Sequence, residues 1–330
     1  MNSFGRLFRI SIFGESHGEC VGITINGCPA GLSLTPEDLL PDLERRKGGK
    51  QKGTTPRQED DHPVFKSGVF NGKTTGFPIT ILFDNKNTRS EDYDKQRSIP
   101  RPGHADWVAH QKFGGNEDYR GGGHFSARLT TGIVAAGAIA KKLMNEVSIH
   151  ARVTEIGGEK DLEKGLQKAI DAKDSVGGIV ECRTTGLPVG LGEPYFDSIE
   201  SVLSHILFAI PAVRGVEFGT GFAAAAMFGS EHNDAIINSV GATQTNHAGG
   251  AVGGIANGNE LVFRLAVKPT SSTPKEQRSL NWDTGQVEDF SIKGRHDLCV
   301  ALRAPVIVEA VTAIVLADFM LLEQKIKRVL

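Results

Sequence analysis

Three histidines lie in glycine-flanked, charge-bearing segments: Gly14-Glu15-Ser16-His17-Gly18, Arg101-Pro102-Gly103-His104-Ala105-Asp106 and Gly294-Arg295-His296-Asp297. Imidazole gains or loses a proton near neutral pH, and glycine lets the backbone turn sharply or approach a ligand closely. Arginine in two of these segments points to an anionic substrate, because its planar guanidinium holds carboxylate or phosphate through paired hydrogen bonds. A lone histidine is more often structural than catalytic, so the weight rests on three of the ten sharing one setting. Ser16 and His17 are neighbours in sequence, which does not by itself make a nucleophile–base pair. His17, His104, Glu15 and Asp297 match no helical metal-ligand spacing, and no metal is expected.

Two other segments could meet anions. Gly121-Gly122-Gly123 runs into a helix expected from Ser126, with Arg128 in its first turn. Backbone N–H groups at such a helix end attract negative charge, and a flexible hinge is the competing reading. Arg45, Arg46, Lys47, Lys50, Lys52 and Arg57 are six cations with no acid among them, suited either to anion capture or to a solvated loop. Nucleic acid is a weaker partner for them, since no aromatic side chains interleave for stacking. Gly219-Thr220-Gly221-Phe222-Ala223-Ala224 mimics a dinucleotide fingerprint, but no acid follows about 20 residues later to hold a ribose.

The elements that must position these residues are legible in part. Leu7, Ile10, Ile12 and Phe13 predict a strand that delivers the chain into the first histidine segment. Thr35-Pro36-Glu37-Asp38 reads as a helix start, with Leu39, Leu40 and Leu43 as its buried face. Pro41 conflicts with that helix and predicts a kink; Arg45-Arg46-Lys47 before Gly48-Gly49 would close it. Residues 64–83 predict a hairpin around Asn71-Gly72, and residues 84–101 a loop. From Ser126 the spacing of Leu129, Ile133, Ala136, Ala140 and Leu143 predicts a core helix, in which Ala135-Ala136-Gly137-Ala138 would admit another backbone. Further on, the pattern predicts an exposed helix over 159–173, strands over 176–183, 213–218 and 261–267, and an amphipathic helix from Asp197-Ser198 carrying Ile199, Val202, Leu203, Ile206 and Leu207. A glycine-rich loop at 246–258, a polar loop after 267 and a last helix over 306–328 complete the reading.

The chain has 330 residues, 39% hydrophobic and 23% charged, and can bury a large core. Its formal net charge of −2 gives no global electrostatic case for nucleic acid or an anionic membrane. Cys20, Cys28, Cys182 and Cys299 contain no C-x-x-C pair, so reduced thiols in a cytoplasmic protein are expected. No apolar signal segment opens the chain. The tract 306–322 carries Glu309, Thr312 and Asp318 and fits a buried helix better than a membrane span. Strands and helices mix without a repeat or linker, so a single α/β (α+β layered) domain over 1–330 is expected.

Taken in order, seven motifs resemble chorismate synthase over nearly the whole length. They are Phe13-Gly14-Glu15-Ser16-His17-Gly18, Arg101-Pro102-Gly103-His104-Ala105-Asp106, Asp118-Tyr119-Arg120-Gly121-Gly122-Gly123, Gly190-Leu191-Gly192-Glu193-Pro194, Asn246-His247-Ala248-Gly249-Gly250, Lys268-Pro269-Thr270-Ser271-Ser272 and Gly294-Arg295-His296-Asp297. The resemblance implies a β-α-β sandwich, a homotetramer, and reduced-FMN-dependent anti-1,4-elimination of phosphate from 5-enolpyruvylshikimate 3-phosphate. A non-catalytic flavin- or phosphometabolite-binding relative is the alternative.

By the same resemblance His17 would protonate the departing phosphate, His104 would act at the reduced flavin, and Asp297 would manage the proton at flavin N5. Arg46, Arg128 and Arg295 would hold the substrate. FMN contacts would fall on His124, Phe125, Ser126, Pro211, Ala212, Gly253, Lys268, Pro269, Thr270, Ser271, Ser272 and Arg295. NADPH, as a candidate reductant, would meet Arg46 and Lys52. The chain departs from the family pattern at His124-Phe125, where Arg-Ser is usual, and at Lys52, where the family has arginine.

Overall fold

The apolar alternation near the N-terminus becomes one edge layer of the molecule in this computed structural model, which describes residues 2–49, 51–56, 59–87, 97–292 and 296–326. Strands β1 (Ser3–Phe4), β2 (Arg9–Gly14), β3 (Cys20–Asn26), β4 (Val64–Ser67), β5 (Val69–Phe70), β6 (Lys73–Thr74) and β7 (Ile79–Asp84) come first. Five of them form an antiparallel sheet in the order β1-β2-β3-β7-β4, while β5 and β6 make a small ribbon. Asn71 and Gly72 turn that ribbon with φ of 48° and 70°, the two positive values that match a hairpin turn to strand twist.

The second sheet contains β8 (Ser148–Ile156), β9 (Gly178–Thr185), β10 (Val213–Phe218) and, after the ribbon β11 (Ala251–Val252) and β12 (Ile255–Ala256), β13 (Leu261–Val267). It is antiparallel throughout, in the order β10-β13-β9-β8. A last hairpin joins β14 (Gln277–Asn281) to β15 (Gln286–Phe290).

Two helices fill the space between the sheets. The Thr130–Leu143 helix lies on β3, where a Cβ at Gly132 would stand 3.0 Å from Ile23 Cβ. Its other side meets the Ala304–Leu322 helix so closely that a Cβ at Gly137 would fall 2.3 Å from Ala310 Cβ. The Ala304–Leu322 helix packs in turn on β8 and β9, giving the layered α/β sandwich expected. One contiguous hydrophobic core runs from Phe8 to Phe319.

The C-terminal helix is long and apolar enough to cross a membrane, yet most of it is buried inside the fold. Its two acids are structural. Asp318 accepts the backbone N–H groups of Arg6, Leu7 and Phe8 at 2.9, 2.7 and 2.7 Å. Glu309 accepts Arg45 through both oxygens, Lys141 Nζ at 2.9 Å and the N–H of Ala151 at 3.0 Å.

Several elements differ from their sequence reading. Pro41 does not kink a long helix: a 3-10 turn, Pro36–Asp38, comes first, and the α-helix Leu40–Arg46 begins afresh with Pro41 in its first turn, where no N–H is needed. Leu39 and Leu43 are fully buried and Leu40 only half. The helix expected over 159–173 runs Leu162–Ala172, capped by Asp161, and the amphipathic helix runs Ile199–Leu207, capped by Ser198 Oγ. Of the loop expected over 84–101, residues 88–96 lie outside the described residues; after it comes an unforeseen helix, Asp106–Phe113, which has no apolar stripe to announce it. The β14–β15 hairpin replaces part of the expected polar loop; its strands are half exposed and carry little apolar alternation.

Candidate active site

Strand β2 ends at Gly14 and releases the chain into Ser16 and His17, both buried. Over them lies Gly121-Gly122-Gly123, with φ of 61°, 83° and 51°, a run of backbone that side chains with a Cβ avoid. The three glycines form a left-handed turn three residues ahead of the helical start that Ser126 caps. Gly123 O accepts Ser16 N–H at 3.1 Å, and a Cβ at Gly122 would lie 3.4 Å from His104 Cε1 and 3.5 Å from Nε2. Because His17 packs against Gly121, one turn brings both imidazoles to adjacent residues. His124, next in the chain, places Nδ1 2.9 Å from Gly14 O and fastens the turn to the strand end.

His104 is held from behind. Its Nδ1 is 2.6 Å from Asp106 Oδ1, and Arg101 grips the same carboxylate with Nε to Oδ2 and Nη2 to Oδ1, each at 2.7 Å. Burial opposes the Asp106 charge, but the hydrogen bonds from Arg101 and His104 outweigh it and hold the carboxyl well below the usual range.

In front of His104 opens a cleft of about 550 Å³. Its walls include His124, Phe125, Ser126, Pro211, Ala212, the whole 268–272 segment, His296 and Asp297. These come from chain segments far apart in sequence. Ser126 Oγ caps the next turn by accepting Arg128 N–H at 3.2 Å, Lys268 N–H donates to Ala212 O at 2.8 Å, tying two rims together, and Ser271 Oγ donates to Gly103 O at 2.9 Å. Gly253 is not on this cleft but in the turn between β11 and β12.

A smaller cavity of about 150 Å³ adjoins it, sharing Gly121, Ser126, Ala127, His296 and Asp297. Here Arg46 and Arg128 converge on the buried Asp61. Arg46 also donates Nε to Thr130 Oγ1 at 2.9 Å and Nη2 to Ala127 O at 2.8 Å; burial, then the nearby Arg303 charge, lower its pKa. Asp297 accepts Thr55 N–H at 2.8 Å and Arg303 Nη1 at 3.1 Å, and Arg303 Nε donates to Arg46 O at 3.0 Å. Lys52 stands apart, donating to Gln167 Oε1 at 3.1 Å on the surface. Arg295, Lys50 and Arg57 lie outside the described residues.

Sequence reasoning missed Asp61 and Arg303. The run Glu59-Asp60-Asp61, directly after six cations, was the available signal for the first; a lone arginine before an apolar helix offers none for the second. Among the described residues no group of three or more His, Cys, Asp or Glu side chains could hold a metal. The glycines at 219 and 221 open only a 3-10 turn, Gly221–Ala226, so no dinucleotide-type helix end forms there.

Comparison with known proteins bears on the whole chain. The family model described as chorismate synthase matches residues 8–321. A chorismate synthase of Chitinophaga pinensis is 67% identical over 330 residues, covering 100% of this chain and 99% of its own. One of Dehalococcoides mccartyi is 45% identical over 360 residues, with coverage of 100% and 99%. A crystal structure of chorismate synthase superposes with a TM-score of 0.74 at 27% identity, covering 97% of this chain and 93% of that one.

Proposed function

This chain belongs to the chorismate synthase family, and on that premise we propose that it is a carbon–oxygen lyase dependent on reduced FMN. It eliminates phosphate from 5-enolpyruvylshikimate 3-phosphate to give chorismate, the last step of the shikimate pathway toward aromatic amino acids. The observation that carries this reading is the single cleft onto which His104, Asp297 and residues 268–272 all open.

The residues present fit a flavin mononucleotide. The cleft lies in the range of about 300–1,000 Å³ usual for ligand sites, and Ile12, Leu129, Ile133 and Val213 give it apolar wall for a ring system. Thr270 Oγ1 is buried there with no hydrogen-bond partner among the described residues, a hydroxyl that would suit a polar ligand. Residues 124–126, Pro211, Ala212, 268–272 and Arg295 would hold the cofactor, with Gly253 assigned by resemblance alone. When bound, reduced FMN supplies electron density that helps expel phosphate and takes up the hydrogen lost from C6, without net redox change.

The chain's own side chains do the rest. His17, buried beneath Gly121, a residue that lines both cavities while the imidazole itself lines neither, gives its proton to the departing phosphate oxygen. His104 controls protonation of the cofactor, and Asp297 exchanges the proton at its N5. Such acid–base groups each contribute roughly 10²–10⁴-fold. Arg46 and Arg128 act on the anionic substrate mainly through their charge, because both guanidiniums are already bonded to Asp61; Arg295 completes the set. NADPH is a candidate reductant at Arg46 and Lys52, of which only Lys52 is on the surface.

The 1–330 chain acts as one catalytic domain in the cytoplasm, without nucleic acid or membrane as partner. It assembles as a homotetramer, a reading supported by the exposed Phe222, Phe228, Ile236 and Val240 and by an apolar surface hollow between Val216, Phe218 and Phe222. The test is anaerobic phosphate release from the substrate. Release with reduced FMN and none with oxidised FMN is expected. Tight FMN binding with no release would select the non-catalytic relative, to which the changed His124-Phe125 pair points.

A further inference from the structure

The contacts of His104 leave little freedom in where its protons go. Nδ1 faces Asp106 Oδ1 at 2.6 Å, a distance at which two lone pairs would repel, so the hydrogen must lie between them. Arg101 Nη2 also approaches Nδ1, at 3.0 Å, but it already donates to that same Oδ1 at 2.7 Å; the two donors converge on one acceptor. Asp106 has no freedom to turn away. Oδ2 accepts Arg101 Nε at 2.7 Å and Arg101 backbone N–H at 3.0 Å, so four donors in all surround the carboxylate. The opposite edge of the ring, Cε1 and Nε2, lies against Gly122, away from the carboxylate, and the His104 side chain itself forms part of the cleft wall.

We infer that Asp106, clamped by Arg101, is the positioning residue that fixes His104 as its Nδ1–H tautomer and leaves Nε2 as the nitrogen that can take up a proton. The clamp also reaches the opposite rim. Arg101 Nη1 donates to Ser272 Oγ at 3.2 Å, while Lys268 Nζ and Ser271 Oγ both donate to Gly103 O. The ring that exchanges the proton and the 268–272 segment are therefore set by one hydrogen-bonded unit, so disturbing Asp106 disturbs the aim of Nε2 before it disturbs the fold. A carboxylate behind an imidazole does this by choosing the tautomer and holding the plane of the ring.

The inference rests on the proposed reaction only for its kinetic consequence; the tautomer is a property of the protein alone. The experiment is 15N–1H correlation of ring-labelled histidines at alkaline pH, with His104 assigned by His104→Gln. Wild-type protein is expected to show a protonated Nδ1 and a bare Nε2, and Asp106→Asn to redistribute the proton toward Nε2. In the anaerobic assay Asp106→Asn is expected to lower kcat roughly 10²–10⁴-fold with KM changed less than about 3-fold, since substrate contacts are untouched. Arg101→Lys, which keeps the charge and loses the fork, should fall between. A wild-type His104 protonated on Nε2 overturns the inference with no variant needed, and so does an Asp106→Asn protein with unchanged tautomer and kcat. Failure of the wild type to release phosphate would instead sink the proposed function and leave the tautomer result standing.

Discussion

Gly121 meets the His17 ring with nothing to spare: a Cβ there would stand 2.4 Å from Cδ2 and 2.6 Å from Nε2. The residue is also at φ 61°, a conformation that costs roughly 1–2 kcal/mol with a side chain. Gly121→Ala is therefore expected to displace the imidazole and lower kcat at least tenfold, while circular dichroism and melting show a folded protein. An active Gly121→Ala enzyme would mean that His17 can be moved without consequence.

Asp61 is buried between two guanidiniums. Replacing it with asparagine removes a carboxylate that both contact and leaves two buried positive charges side by side. Breaking a buried pair in this way typically costs about 3–5 kcal/mol. Denaturant unfolding of Asp61→Asn should show a loss of that order; a change below about 1 kcal/mol would be the size of an exposed pair and would contradict the burial of this one.

The pH dependence of stability has a definite sign at Glu309. Burial raises its pKa, but the hydrogen bond from Arg45 and the charge of Lys141 outweigh burial and leave the carboxyl below its ordinary value. A group with a lowered folded-state pKa contributes stability that is present above the unfolded value, about 4.3 for glutamate, and is lost as pH falls through the folded one. The gap in stability between wild type and Glu309→Gln, measured by urea unfolding, should be widest near neutrality and narrow below about pH 4. A gap that widens on acidification would reverse the assignment.

Thiol chemistry offers a further check. Burial pushes Cys182 up to about 12 and Cys28 up to about 11, and Cys20 alone among the four is not fully buried. A thiolate-seeking reagent is expected to label Cys20 first in native protein and the others only on unfolding. Rapid labelling of Cys182 in the native state would contradict its place against the central helix.

Much of this architecture was legible because it follows from short-range rules. The Asn71-Gly72 turn, the cap at Ser198 and the small-residue run around Gly137 each declare one local need, and each meets it in the fold. Elements that depend on distant partners were harder to read. The Asp106–Phe113 helix has no apolar stripe; Trp282 of the β14–β15 hairpin stacks on its His110 with ring centroids 4.6 Å apart. The hairpin lacks alternation for the same reason, being built to cover that helix and not a core. At the site, the histidine motifs and residues 268–272 were visible as glycine, charge and hydroxyl clusters. The pairing of Asp61 with Arg46 and Arg128, and of Asp297 with Arg303, was not, because ion pairs between remote segments leave no periodic trace.

The most direct measurement is single-turnover phosphate release under anaerobic conditions with reduced FMN, comparing wild type with His17→Ala. The account requires release by the wild type and a loss of roughly 10²–10⁴-fold in the variant, with FMN binding and melting temperature retained. Equal release by both proteins would remove the imidazole under Gly121 from the chemistry and contradict the site as described.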